Sequence, residues 1–242
     1  MADQAIVMLA FTDNFNRARL LAASAPHSDD WLHTRPLSTC ALRLDNESVR
    51  VALGLRLGTS LCEPHQCSCG KQGNARGTHD ISCKRSAGRS IQHHELNDII
   101  YQALTRASTS SVLESPGLSR TNGKRPDELT LIPWQREKSV AWDVIDTVAH
   151  SYLQLTSAKA GGTAENATTK KEDKYVDLQQ KYTFILLAFE TLELINVKSV
   201  EFHELSRRLA AISDDNCQTS FLFQHISITQ RFNVITFTDT FA

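Results

Sequence analysis

The chain is 242 residues long, the size of one large domain or two small ones at roughly 100–200 residues per domain. Hydrophobic residues make up 41% and charged residues 22%, which excludes a wholly disordered chain, a collagen and a disulfide miniprotein. Lys and Arg total 26 against 27 Asp and Glu, so the formal net charge is −1 and any nucleic-acid surface must be a local patch.

No apolar run approaches the ~18 residues of a membrane span. Residues 1–11 (MADQAIVMLAF) carry Asp3 early, lack a basic start and are shorter than a usual signal peptide, so the expectation is a soluble, non-secreted protein. Residues 1–30 resemble the tail of a preceding region, with a short helix-like run, Arg17 and Arg19, and a polar stretch over 24–30. After Trp31 and a break at Pro36, the run NESVRVALGLRL predicts a helix over 46–57, capped by Asp45 or Asn46. From Gly58 the composition turns to Cys, His, Gly and polar residues, which cannot form a core and need a bound metal for stability.

Leu96, Ile99, Ile100 and Leu104 recur at helical spacing and predict a helix over 91–107. Three strand signals follow, over 111–114, 128–134 and 139–145, separated by turn-rich runs at 119–127 and 135–138. A charged helix is predicted over 163–181, and the apolar run YTFILLAFE (182–190) reads as a buried strand. Helical patterns at 198–212 and 219–232 close the chain. The order helix, three strands, helix, strand implies an α+β or α/β unit from about residue 90 onward. The expected division is therefore 1–57, 58–90 and 91–242.

Six cysteines in a chain this long do not suggest a disulfide framework, and Cys62, Cys67 and Cys69 cluster. Cys67 and Cys69 on a turn at Gly70, followed by His79 and Cys83, make a Cys3His set, the donor chemistry of structural zinc. One residue separates Cys67 from Cys69 where two are commoner, so Cys62 is an alternative to one of them. Between Lys71 and His94 there are five Lys or Arg residues and one Asp. Lys84, Arg85 and Arg89, with His93 and His94 beyond, form a patch suited to phosphate contact; the plain alternative is a solvated helix start.

Asp127 precedes the second predicted strand, and Asp143 lies inside the third. If those strands pair as a hairpin, both carboxylates share one end of the sheet, where they would suit Mg2+. Asp143 is flanked by Val140, Ala141, Trp142, Val144 and Ile145, and a charge in such company needs a partner or a metal. Trp31, Trp134 and Trp142 read as core anchors, and Cys40 and Cys217 as inert thiols. No P-loop, Rossmann fingerprint or nucleophile elbow is present.

The runs CEPHQCSCGKQGNARGTHDISCKRSAGR (62–89), GKRPDELTLIPW (123–134), WDV (142–144), KEDKY (171–175) and FETL (189–192), in this order, resemble the C-terminal region of reverse transcriptase proteins. These belong to animal non-long-terminal-repeat retrotransposons that carry a restriction-like endonuclease. The likeness runs from about residue 25 to 233. It implies a restriction-endonuclease-like core behind a zinc knuckle of Cys67, Cys69, His79 and Cys83, with 1–57 as a helical remnant of the linker after the polymerase. It implies that Asp127 is the Asp of the PD signature and Asp143 the acid of the following strand, the two holding magnesium. The usual lysine two residues later is absent, since Ile145 stands there. Lys174 is then the first candidate, Lys171 the second, and Glu114 a candidate outer metal ligand. Lys124 and Arg125 would join the DNA contacts. The implied activity is Mg2+-dependent nicking of target DNA in the nucleus, leaving a 3′-hydroxyl that primes reverse transcription, with element RNA as a further partner. No polymerase motif is visible, so the chain reads as a truncated or domesticated piece. The alternative is a catalytically inactive, zinc-dependent nucleic-acid-binding module.

Overall fold

The structure, a computed structural model, describes residues 13–40, 42–83, 85, 88–113, 126, 128–133, 137–147, 153–190, 205, 207–209, 211 and 217–236. Asp13 starts the first helix, α1 (Asn14–Ala23), by accepting the Phe15 backbone N–H at 3.0 Å. A single turn, α2 (Asp30–His33), carries Trp31 into the interior. Helix α3 (Asn46–Leu57) has the expected bounds. Asp45 accepts the Ser48 N–H at 2.7 Å at one end, and Gly58, at φ 73°, closes the other in the left-handed conformation that glycine adopts cheaply. Arg19 of α1 donates to the Arg56 carbonyl at 2.6 Å, and Arg56 donates to the Ser28 carbonyl at 3.0 Å, tying the first and third helices together.

A loop rich in Cys, His and Gly leads to α4 (Thr78–Ser82) and then to α5 (Gly88–Arg106), which starts three residues earlier than predicted. Among the described residues, the sheet has four strands in the order β1 (Ser111–Leu113), β2 (Glu128–Thr130), β3 (Val140–Thr147) and β4 (Thr183–Glu190). The first two pairings are antiparallel and the last is parallel. The parallel pair requires a crossover, supplied by α6 (Leu153–Ala158), α7 (Gly162–Lys174) and α8 (Val176–Gln179). The final helix is α9 (Cys217–Thr236). This is a mixed α+β architecture.

Two predicted bounds were too long. The strand predicted over 128–134 ends at Thr130, because Leu131 and Ile132 turn outward to solvent and Pro133 has no N–H for a ladder. The helix predicted over 163–181 breaks at Tyr175, which leaves helical geometry and buries its ring 4.6 Å from Phe184. Of the helix predicted over 198–212, residues 205, 207–209 and 211 are described and helical.

The alternating period of the central strands sorts their side chains between two layers. Val140, Trp142 and Val144 of β3, with Ile185, Leu187 and Phe189 of β4, face α5 and α9 and form the main core with Leu96, Ile100, Leu104, Leu222 and Ile226. The opposite face carries Ile145, Leu186 and Ala188 against Ala164 and Ala167 of α7. Burial on both faces explains why β4 reads as an unbroken apolar run. The N-terminal helices join this body at two places: α1 packs along α6 of the crossover, and at α9 Trp31, Leu42 and Ala52 pack on Ile228 while His27 stacks on Phe223 with ring centroids 3.8 Å apart.

Candidate functional site

The knuckle is built on a short hairpin. Cys67 N–H donates to the Lys71 carbonyl at 2.9 Å, Gln66 bridges Gln72, and Gly70 N–H donates back to the Cys67 carbonyl at 2.8 Å. Gly70 takes φ 87°, so here the backbone conformation, and not lack of space, favours glycine. This turn brings Cys67 and Cys69 together, and α4 presents His79 with Cys83 at its end. The four ligand atoms all lie within 4.8 Å of one another. Cys67 and Cys83 sulfurs are 3.7 Å apart, close to the roughly 3.8 Å expected for two sulfurs about 2.3 Å from a tetrahedral zinc. Cys69 Sγ lies 3.2 Å from His79 Nε2. This Cys3His cluster could hold a metal ion such as zinc. Cys62 stands outside it, its thiol donating to the Asn74 carbonyl at 3.4 Å.

The thiols are primed unequally. The Cys69 backbone N–H, with help from His79, draws the Cys67 thiol down to about 6, while burial pushes Cys83 up. One cysteine thus ionises readily, and thiolate is the metal-binding form. Two neighbours escaped notice in the sequence. His65 Nε2 lies 3.0 Å from Asp80 Oδ1, and His65 Nδ1 lies 3.0 Å from the Glu63 carbonyl. Both ring nitrogens face acceptors, which raises the His65 pKa, the Glu63 carbonyl contributing most. Nothing local in the sequence announced this pair beyond the position of Asp80 next to His79.

Of the basic patch, Arg85 is exposed and donates to the Ser68 carbonyl at 2.7 Å, so it also braces the knuckle turn. His93 sits on α5 beside Asn97, 3.3 Å away, and His94 is exposed. Lys84, Lys124 and Arg125 lie outside the described residues, and Arg89 lies on α5 with its side chain outside them.

On the sheet, Asp143 falls on the face of β3 that looks toward α7. It is 3% exposed, and its Oδ1 accepts from Lys171 Nζ at 2.6 Å. The helix makes this reach possible: Ala164 and Ala167, small residues two turns and one turn before Lys171 on the same stripe, let α7 lie close to the strands. Glu190 fixes the start of α7. Its Oε1 accepts the Ala164 N–H at 2.8 Å, and burial pushes its carboxyl above the ordinary value. Asp127 and Glu114 lie outside the described residues, as does the side chain of Lys174. The registered pair nearest Asp127 is Glu128 with Trp142, one residue short of Asp143.

No family model matches the chain, and no curated protein matches it. The chemistry of the site therefore rests on its own geometry. Among the described residues, an oxygen-ligand set for magnesium has one member, Asp143, already paired with an ammonium; the Cys3His donors fit zinc far better. No described helix is long and apolar enough to cross a membrane.

Proposed function

We propose that the chain is a metal-dependent DNA endonuclease domain of retrotransposon type, with a restriction-endonuclease-like core behind a zinc-bound knuckle. The observation that supports it most is the Lys171–Asp143 contact, which joins an acid on the central strand to a lysine on the crossover helix. The element order, a helix, three strands, helices and a fourth strand, is compatible with the helix, three strands, helix and strand expected of such a core. The reading requires Asp127 to continue the Glu128–Trp142 register by one residue, which would set it across from Asp143.

In this reading Cys67, Cys69, His79 and Cys83 hold zinc, and Arg85, Arg89, His93 and His94, with Lys84, Lys124 and Arg125, grip the DNA phosphates. Asp127 and Asp143 would hold magnesium, whose chemistry there would be that of a Lewis acid toward water and a phosphodiester oxygen. Lys171, with Lys174 one turn further on, swings from Asp143 to the scissile phosphate, where its ammonium orients water and offsets developing charge. Such a cut in nuclear DNA leaves a 3′-hydroxyl from which element RNA would be copied.

Supercoiled plasmid with Mg2+ tests this. Wild type is expected to nick, and Asp143→Asn and Lys171→Met to cut at least about 100-fold more slowly. Absence of nicking by wild type rejects the reading. A second reading, a zinc-dependent nucleic-acid-binding module without cleavage, is supported by the Cys3His cluster and the exposed Arg85 that braces its turn. Salt-sensitive and zinc-dependent DNA or RNA binding without cutting would select it.

A further inference from the structure

The four ligands of the knuckle come from two pieces of chain that share no secondary structure. Cys67 and Cys69 ride on the hairpin, while His79 lies within the short helix α4 and Cys83 caps its end. A metal would join them, yet the metal-ligating atoms are not the only link. Asp80, next to His79, accepts the Cys83 N–H with its carbonyl at 3.4 Å. Its side chain, 1% exposed, points the other way and meets the His65 ring at 3.0 Å. His65 lies two residues before Cys67, and its carbonyl accepts the Gly73 N–H at 2.7 Å across the hairpin.

Gly73 seals this contact. A Cβ there would lie 3.0 Å from His65 Cε1 and 3.2 Å from Asp80 Oδ2, so a larger residue would press the ring and the carboxylate back by a few tenths of an ångström. Asp80 Oδ2 is buried with no hydrogen-bond partner among the described residues. A buried carboxylate with one oxygen unsatisfied is costly, and it depends on the His65 contact.

We propose that His65 and Asp80 form a strap that holds the two halves of the ligand set in register and sets how tightly and how long the knuckle keeps its metal. Both are positioning residues and neither is a ligand. The proposal rests on the reading that the cluster binds zinc. Partners behind metal ligands typically change affinity by about 10–100-fold when removed, and the strap should act on that scale.

The test uses the full chain, with Co2+ as a spectroscopic probe and Zn2+ affinity measured by competition with a chromophoric chelator. Asp80→Ala and His65→Ala are expected to lose about tenfold or more in Zn2+ affinity. The loss should come from faster metal release, with the tetrahedral Co2+ bands of a thiolate-rich site retained. Asp80→Asn, which keeps an oxygen for His65, should recover most of the affinity. Gly73→Ala, which pushes on the ring without removing it, should lower the affinity in the same direction but by less than Asp80→Ala. The near-ultraviolet dichroism of the tryptophans in the same samples reports that the core is unchanged. Wild-type affinity and release in Asp80→Ala would overturn the strap while leaving the zinc reading intact. Failure of wild type to bind stoichiometric metal would overturn both.

Discussion

All four ligands of the knuckle come from residues 67–83, whereas Asp143 and Lys171 come from a strand and a helix 28 positions apart. The first site needs little core: Leu61, packed on Val51 and Leu55, is its main apolar anchor to the rest of the molecule. The second exists only because β3, β4 and α7 pack, with Trp142 and Phe189 buried behind the strands. A metal, which the Cys3His cluster could hold, and a hydrophobic core would be alternative ways of keeping polar side chains in place, and the two regions should then fail under different treatments.

Metal removal should have the largest effect, because structural zinc contributes an apparent ~10–16 kcal/mol to small knuckles. Chelation is expected to speed hydrogen exchange at the amides of Cys67, Gly70 and Gly73 while those of 185–189 stay protected. Equal loss in both regions would erase the distinction. Trp142→Ala should do the reverse, costing about 3–5 kcal/mol of sheet stability in thermal unfolding while Co2+ binding persists.

A smaller effect is expected at the ion pair. Breaking a fully buried pair costs about 3–5 kcal/mol, but Lys171 is 29% exposed, so Lys171→Met should cost about 1–2 kcal/mol in denaturant titrations. The Lys171→Met, Asp143→Leu double variant should regain most of it.

Smallest is a pH effect at Glu190. Burial raises its folded-state pKa above the ordinary 4.5, so the folded protein holds that proton more readily than the unfolded chain. The contribution to stability is therefore complete below the ordinary value and is lost as pH rises through the folded one. Glu190→Gln should flatten that decline, read as melting temperature against pH; an unchanged slope would show that the carboxyl is not the cause.

How much the sequence disclosed follows the same division. Helix α3 was legible to the residue, since Asp45 and Gly58 are local signals acting on adjacent backbone. The metal cluster was legible because its ligands are near neighbours, and the geometry favours Cys67 over Cys62 within it. The lysine facing Asp143 was legible only as the second of two candidates, after Lys174. Choosing Lys171 required knowing how Ala164, Ala167 and Glu190 seat α7 on the sheet, and no spacing rule conveys that. The His65–Asp80 contact was hidden for a related reason, being made across a loop that has no periodicity to read.

Gly162 turns α7 into a lever. A methyl group at that position would sit 2.7 Å from the Leu155 carbonyl oxygen, so the crossover can approach this closely only where the side chain is a hydrogen. Lys171 lies nine residues further along, about 13 Å down the helix axis. A small displacement at the fulcrum would be magnified at the far end, lifting the ammonium off Asp143 without touching either charged residue.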